Sequence, residues 1–581
     1  MVKLFRFLKP YWAQVLVLVA AIGLQAWATL MLPALMAKIV NEGIVPKDSG
    51  IIWSIGFQML GFLILAVVTN LIANFFSAKV SLKLSRDLRS AIYAKILTFS
   101  ITEINNFSTA SLINRTTKDI TQVQQTITML LSMAIRVPLM AIGAIIQAFA
   151  TAPSMTWIIA LVVGIMFITV IIIIAIVMPK LNLWQKLSDK ITLLTRENLT
   201  GLRVIRAFNN ESLEHGKFSQ TNTNLTKTAM FIDTVMALTN PLLTLIFNGT
   251  SLLCIWIGVS LMEADASYLG NMMAFMQYAI QVVMSFLLLT MLFIMVPRTN
   301  IAAKRINAVL DTKNKIKWPE KTKGTPESAT SIEFENVCFR YPDAEEYVLE
   351  DINFKVQAGE TIAFIGSTGS GKSTLINLIP RFYDPSKGTI KINGLDIKKY
   401  SADDLMSKIG LVPQRGVLFS GTVKTNIAFG NPSLSDEEME RAAKIAQAAD
   451  FIEKMPKKYH SHIARGGTNV SGGQKQRLSI ARAVAKHPDF YLFDDAFSAL
   501  DLKTDAKLRK ALAPITKDSV VLIIAQRIST IKSADQIVVL DKGKIVGHDT
   551  HQNLLKSCKV YREIAQSQMS DQEFQQELKN A

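Results

Sequence analysis

A chain of 581 residues is too long for one core, so two or more domains are expected. Half of it is hydrophobic and only 19% is charged, which sets aside an ordinary soluble protein and points to a membrane protein. The formal net charge of +17 fits anionic lipid headgroups, and with no RNA-binding signature in the chain nucleic acid is excluded as a partner. Cys254, Cys338 and Cys558 share no metal spacing, so neither a structural metal nor a disulfide framework is expected.

The N-terminus, Lys3-Leu-Phe-Arg6-Phe-Leu-Lys9-Pro-Tyr-Trp12, is basic and amphipathic and reads as an interfacial helix rather than a removed signal. Six apolar stretches then reach the roughly 20 residues that a bilayer requires. They are 13–39, 52–76, 128–150, 155–178, 234–261 and 272–296, with Arg136 near the start of the third, where a long side chain can snorkel to the interface. Their connections alternate. Three are short, running 41–50, 151–154 and 262–270, and carry Lys47 as their one basic residue. Two are about 50 residues long, helical in period, and rich in Lys and Arg, from Lys79 to Lys118 and from Lys180 to Lys227. That asymmetry places the long connections, both termini and the second half of the chain in the cytosol, in a multi-pass protein of the cell membrane. Each long connection is predicted to leave the bilayer as two arms of about 22 residues, reaching on the order of 33 Å. Turns are expected near Asn105–Leu112 and Ala207–Glu214. Gln25, Gln58, Asn70, Asn74, Gln147, Asn240, Asn248, Gln277 and Gln281 are polar positions within spans. Singly they suggest interhelical hydrogen bonds; as a set they suit a mildly polar cavity.

After about Ile316 the sequence becomes that of a soluble α/β domain. Thr361-Ile-Ala-Phe-Ile365 reads as a buried strand, Leu375-Ile-Asn-Leu-Ile379 as the turn of an apolar helix, and between them lies Gly366-Ser-Thr-Gly-Ser-Gly-Lys372-Ser373-Thr374. This is G-x-x-x-x-G-K-[ST], the loop that wraps nucleotide phosphates. Gly366, Gly369 and Gly371 let backbone N–H groups turn inward onto an anion, with Thr368, Ser370 and Thr374 in the same cradle. Lys372 would meet the β- and γ-phosphates, and Ser373 would hold Mg²⁺. ATP and Mg²⁺ are the expected ligands.

Four further motifs flank this loop in a fixed order, Phe339-Arg-Tyr341-Pro before it and, after it, Leu411-Val-Pro-Gln414, Asn469-Val-Ser471-Gly472-Gly473-Gln474 and Phe490-Tyr-Leu-Phe-Asp494-Asp495. With Ser498-Ala-Leu-Asp501 and the strand Ser519 to Gln526, they resemble the nucleotide-binding domain of an ABC transporter. Together with the six spans, the chain resembles an ABC half-exporter of the bacterial multidrug type. The resemblance implies a helical six-span membrane domain (1–310), a linker (311–330), an α/β P-loop ATPase domain (331–570) and a polar C-terminal tail (571–581). It implies that Tyr341 stacks on adenine, that Gln414 and Asp494 join Ser373 around Mg²⁺, and that Ser471, Gly472, Gly473 and Gln474 cap a phosphate held by an opposing subunit.

Three residues depart from the family pattern. Asp495 stands where the family has a catalytic glutamate, Gln526 where it has the switch histidine, and Arg465 where it has a glutamate before the signature. An aspartate carboxylate falls about 1.5 Å short, and misplacement of about 1 Å can cost on the order of 10²-fold in rate. The resemblance is therefore to the degenerate-site subunit of a heterodimeric exporter, one that binds ATP and cleaves it slowly or not at all. Its partner would be a second half-exporter with the catalytic Glu and switch His, and its cargo small amphiphiles. A homodimeric lipid or peptide exporter and an ATP-gated regulator or channel are the alternatives.

Overall fold

The computed structural model describes residues 1–262, 268–342 and 344–580. Most of the expected connection 262–270, and the side chain of Asn240, lie outside the described residues. Among the described residues, six helices are long and apolar enough to cross a bilayer: Lys3–Ile44, Ser49–Leu97, Thr109–Thr151, Pro153–Thr200, Glu211–Val259 and Leu269–Leu289. Several far exceed what a span requires. The 49 residues of Ser49–Leu97 extend ~73 Å, against ~30 Å of hydrocarbon. The chain divides into two compact units, Met1–Leu97 with Ser108–Thr312, and Thr98–Phe107 with Lys313–Ala581.

In the first unit, small side chains let helices approach closely, as membrane bundles require. Ala144, Ala148 and Ala152 pack with Met155, Ile158, Phe275 and Tyr278 in one buried cluster. The Tyr278 hydroxyl donates to Leu30 O at 2.8 Å. Among the described residues, interhelical polar bonds come from hydroxyls and from Asn41, whose Nδ2 donates to Asn271 Oδ1 at 3.1 Å, rather than from the amides singled out in the sequence. Thr126 meets Thr299 at 2.6 Å, Ser77 donates to Thr128 O at 2.9 Å, and Thr128 donates to Ser81 at 2.7 Å. Of the amides, Gln25 is buried, Asn74 bonds Asn70 within its own helix, and Gln58, Asn248 and Gln277 are exposed on this chain. Arg136 opens a new helix, Arg136–Thr151, after a break at 134–135. Pro138, which has no N–H for the Ala134 carbonyl, accounts for the break.

Both reversals come earlier than the sequence suggests, and each passes through a short helix. The first long helix ends at Leu97 and is followed by Ile101–Phe107. There Ser100 N donates to Glu103 Oε2 at 2.8 Å, and Phe99 stacks on Phe107 with centroids 5.9 Å apart. The second ends at Thr200, with Gly201 as its cap, and is followed by Leu202–Ala207, then Glu211–Met262. Capping groups set these ends, and hydrophobic period does not register them.

The segment Thr98–Phe107 belongs with the second unit. Asn314 Nδ2 donates to Thr98 O at 2.8 Å, and Lys315 N to the buried Glu103 Oε1 at 3.2 Å. Burial alone would raise the Glu103 carboxyl, but the bonds from Ser100 and Lys315 hold it below the usual glutamate range.

The second unit is built on a six-stranded sheet in the order 544–549, 536–541, 361–366, 520–524, 490–494 and 409–412. All neighbours are parallel except the first pair. Its central strands are apolar on both faces, as helices packed on either side require. A four-stranded antiparallel sheet contains 349–357, 331–339, 387–392 and 395–396. The segment expected to be a polar tail is the helix Asp571–Asn580, and it buries Phe574. Glutamines, glutamates and lysine surround that one anchoring ring, so its composition reads as a tail while its packing does not.

Candidate active site

Three parallel strands end at one edge and carry the site. The strand Thr361–Gly366 runs into the phosphate loop, Phe490–Asp494 ends in its carboxylate, and Val520–Ile524 leads to Gln526. Gly366 is required because a Cβ there would lie 2.0 Å from Leu540 O. At Gly371, where φ is +99°, a Cβ would lie 2.7 Å from Leu349 Cδ2 and 2.9 Å from Val348 O. From it starts the helix Lys372–Leu378.

Lys372 Nζ curls back to donate to Gly366 O and Ser367 O, each at 2.8 Å, and lies 3.4 Å from Ser370 Oγ. Burial pushes its ammonium below the usual lysine value, against the pull of Asp495 and Asp494. A cation held by the carbonyls of this loop suits a phosphate. Ser373 Oγ donates to Asp494 Oδ1 at 2.9 Å. Burial raises the Asp494 carboxyl, with Asp495 adding to the rise while Ser373 and Lys372 oppose it. This hydroxyl and carboxylate are oxygen donors of the kind that Mg²⁺ takes while keeping several waters.

Asp495 is buried, at φ +48°, and its Oδ2 is the point where two loops meet. Gln526 Nε2 donates to it at 2.9 Å and Gln414 Nε2 at 3.3 Å. Two of the departures from the pattern, Asp495 and Gln526, are thus in direct contact. Burial raises this carboxyl too, against the Gln414 and Ser498 bonds and the Lys372 charge. Tyr341 lies to the side of the loop, its hydroxyl 3.0 Å from Thr374 Oγ1.

Ser471, Gly472, Gly473 and Gln474 form the start of the helix Gly472–Val484. Ser471 and Gln474 close a capping box, with Ser471 N donating to Gln474 Oε1 at 2.9 Å and Gln474 N to Ser471 Oγ at 3.3 Å. Among the described residues no hydrogen bond joins 471–474 to the phosphate loop, and Ser471 and Gly472 are exposed. Thr368 and Gly369 are exposed on the loop, and Arg465 is exposed at the turn Arg465–Gly467.

Sequence reasoning missed three supporting residues. Tyr383 meets Tyr341 edge to face at 5.3 Å. Gln476, buried, accepts from Gly416 N at 3.0 Å and donates to Pro413 O at 3.1 Å, so it brackets Gln414. Gln568 does the same for Gln526. The repeated glutamine after the signature was a usable signal for Gln476; Gln568 had none.

The ABC transporter family matches residues 349–498, and the ABC transporter transmembrane region matches residues 15–286. An uncharacterised ABC transporter ATP-binding protein of Mycobacterium tuberculosis is 38% identical over 565 residues, 97% of each chain. The chain belongs to the ABC transporter family. An ATP-dependent lipid A-core flippase of Haemophilus influenzae is 30% identical, with 98% of this chain and 97% of that one covered. Among solved structures, a bacterial Atm1-family ABC exporter with ATP bound shares the fold, with a TM-score of 0.80 at 24% identity over 97% and 99% of the two chains. The chain is therefore an ABC half-transporter: a helical six-span membrane region followed by an ATP-binding ABC ATPase domain.

Proposed function

We propose that this chain is one half of a heterodimeric ATP-driven exporter and that its own phosphate loop is the degenerate site of the pair. The observation that carries this is the Asp495 carboxylate, whose Oδ2 is taken by the amides of Gln414 and Gln526. A general base must offer a free, well-placed oxygen to water, and such a base supplies roughly 10²–10⁴-fold. Asp495 is short for the task, and one of its two carboxylate oxygens is already shared by two amides. Lys372, Ser373 and Asp494 keep the groups that hold ATP with Mg²⁺. The exposed signature at Ser471 would complete a competent site on the partner, which would bring the catalytic Glu and switch His.

In this reading the domain 331–570, the linker 311–330 and both termini are cytoplasmic, and the arms pass nucleotide-driven closure to the domain 1–310. The cargo is a small amphiphile, drug-like or lipid. The lipid reading is supported by relatives named lipid A-core flippases, and it would also suit a homodimer.

The test is ATPase activity in lipid nanodiscs of the chain alone and paired with a half-exporter bearing Asp-Glu and His. Activity is expected only in the pair, surviving Asp495→Asn and lost when the partner's glutamate is replaced. Brisk hydrolysis by the chain alone, stopped by Asp495→Asn, would reject the degenerate site. Dye or lipid movement across vesicles in the same pair separates a pump from an ATP-gated channel.

A further inference from the structure

The strand Val520–Ile524 makes its last ladder contact where Ala525 N donates to Phe364 O at 3.2 Å. Gln526 lies just beyond. One side chain from a distant helix takes over: Gln568 Nε2 donates to Gln526 O at 2.7 Å, and Gln568 Oε1 accepts from Ile528 N at 2.9 Å. The amide grips the backbone on both sides of Arg527, much as a paired strand would. Its own helix, Lys559–Gln568, is seated by the buried Tyr561 and Ala565, and Tyr561 OH meets His551 Nδ1 at 2.6 Å. The next helix, Asp571–Asn580, is seated by Phe574. Gln568 is therefore a fixed point between two anchored helices.

We propose that Gln568 is a positioning residue for Gln526, and that through it the C-terminal helices set how the site senses the terminal phosphate of its nucleotide. The proposal rests on the resemblance that puts Gln526 at the family's switch position, whose histidine contacts the γ-phosphate, and so on reading Gln526 as the residue that meets that phosphate. The Gln526 side chain touches Asp495, which adjoins Asp494 and Ser373 of the phosphate site. Lys372 and Tyr341 do not depend on Gln568, so discrimination between triphosphate and diphosphate should change while general nucleotide binding stays.

The experiment measures dissociation constants of Mg²⁺ with a non-hydrolysable ATP analogue and of Mg²⁺-ADP on the full chain in nanodiscs. Gln568→Ala removes both bonds; Gln568→Glu keeps the acceptor and turns the donor into a repulsive contact with Gln526 O. Both are expected to weaken the triphosphate by about 3- to 10-fold, with ADP within about twofold. Gln566→Ala, on the same helix, should leave both constants unchanged. A matching loss for both nucleotides would mean a merely structural role and overturn the proposal. So would an unchanged ratio in both Gln568 variants while Gln526→Ala shifts it. If Gln526→Ala itself leaves the ratio unmoved, the reading of Gln526 fails and takes this proposal with it. None of these outcomes depends on turnover, so the rate at the site is judged separately.

Discussion

The two ends of one nucleotide site differ. At the phosphate loop, the side chains proposed to hold the nucleotide are engaged: Lys372 on loop carbonyls, Ser373 on Asp494, Tyr341 on Thr374. At the other end, where water would be activated, Asp495 is shortened and both facing amides donate to the same oxygen. Binding and chemistry rest on different side chains, even where Asp494 and Asp495 are neighbours at the end of one strand, so one set can weaken while the other is kept. The contact between Asp495 and Gln526 also makes the two departures a single unit.

The largest effect should come from breaking the intact end. Lys372→Ala removes the cation from the loop, and hydrogen bonds to charged groups are worth about 1.5–3 kcal/mol. ATP affinity should fall by roughly 10- to 100-fold, and the thermal stabilisation that ATP gives the chain should disappear with it.

Sharpening the comparison means repairing the weak end. Asp495→Glu with Gln526→His should raise hydrolysis by this chain's own site by about 10- to 100-fold. Asp495→Glu alone should recover much less, because the longer carboxylate still meets Gln526, and groups in contact do not add. Steady-state ATPase assays of the single and double variants read that coupling directly.

A smaller effect concerns Glu103, which ties the short helix Ile101–Phe107 to Lys315. Glu103→Ala should cost about 1–3 kcal/mol of local stability, seen as faster amide exchange at Ser100 and Lys315. Its carboxyl is held below the usual range when folded. The stabilisation is thus present above the unfolded pKa and lost as pH falls through the folded one, so wild type and Glu103→Gln should converge on acidification.

The smallest effect has the opposite sign. Burial raises the Asp495 carboxyl, so its ionisation at neutral pH costs stability that is absent once it is protonated. Asp495→Asn should raise the melting temperature slightly at pH 7.5 without nucleotide, and the gain should shrink as pH falls.

How much of this was legible depended on the range of the signal. The phosphate loop, the carboxylate pair and the spans were readable because each is written in consecutive residues with a fixed spacing or a long apolar run. The reversals at Leu97 and Gly201 were placed several residues late, since Glu103 caps Ser100 by a local bond to which hydrophobic period is blind. Tyr383 and Gln568 could not be found at all. Each acts through a contact across the fold, 42 residues apart in the case of Gln568 and Gln526. The amphipathic face of Asp571–Asn580 consists of Phe574 and the half-buried Leu578, too little to outweigh their polar neighbours.

The most direct test of the central claim is a single-turnover measurement on the chain alone, loaded with Mg²⁺-ATP in nanodiscs. The account predicts tightly held nucleotide recovered as ATP, with cleavage slower than about 0.1 s⁻¹, below the ordinary 1–10³ s⁻¹ range of enzymes. Rapid conversion to ADP, abolished by Asp495→Asn, would contradict it.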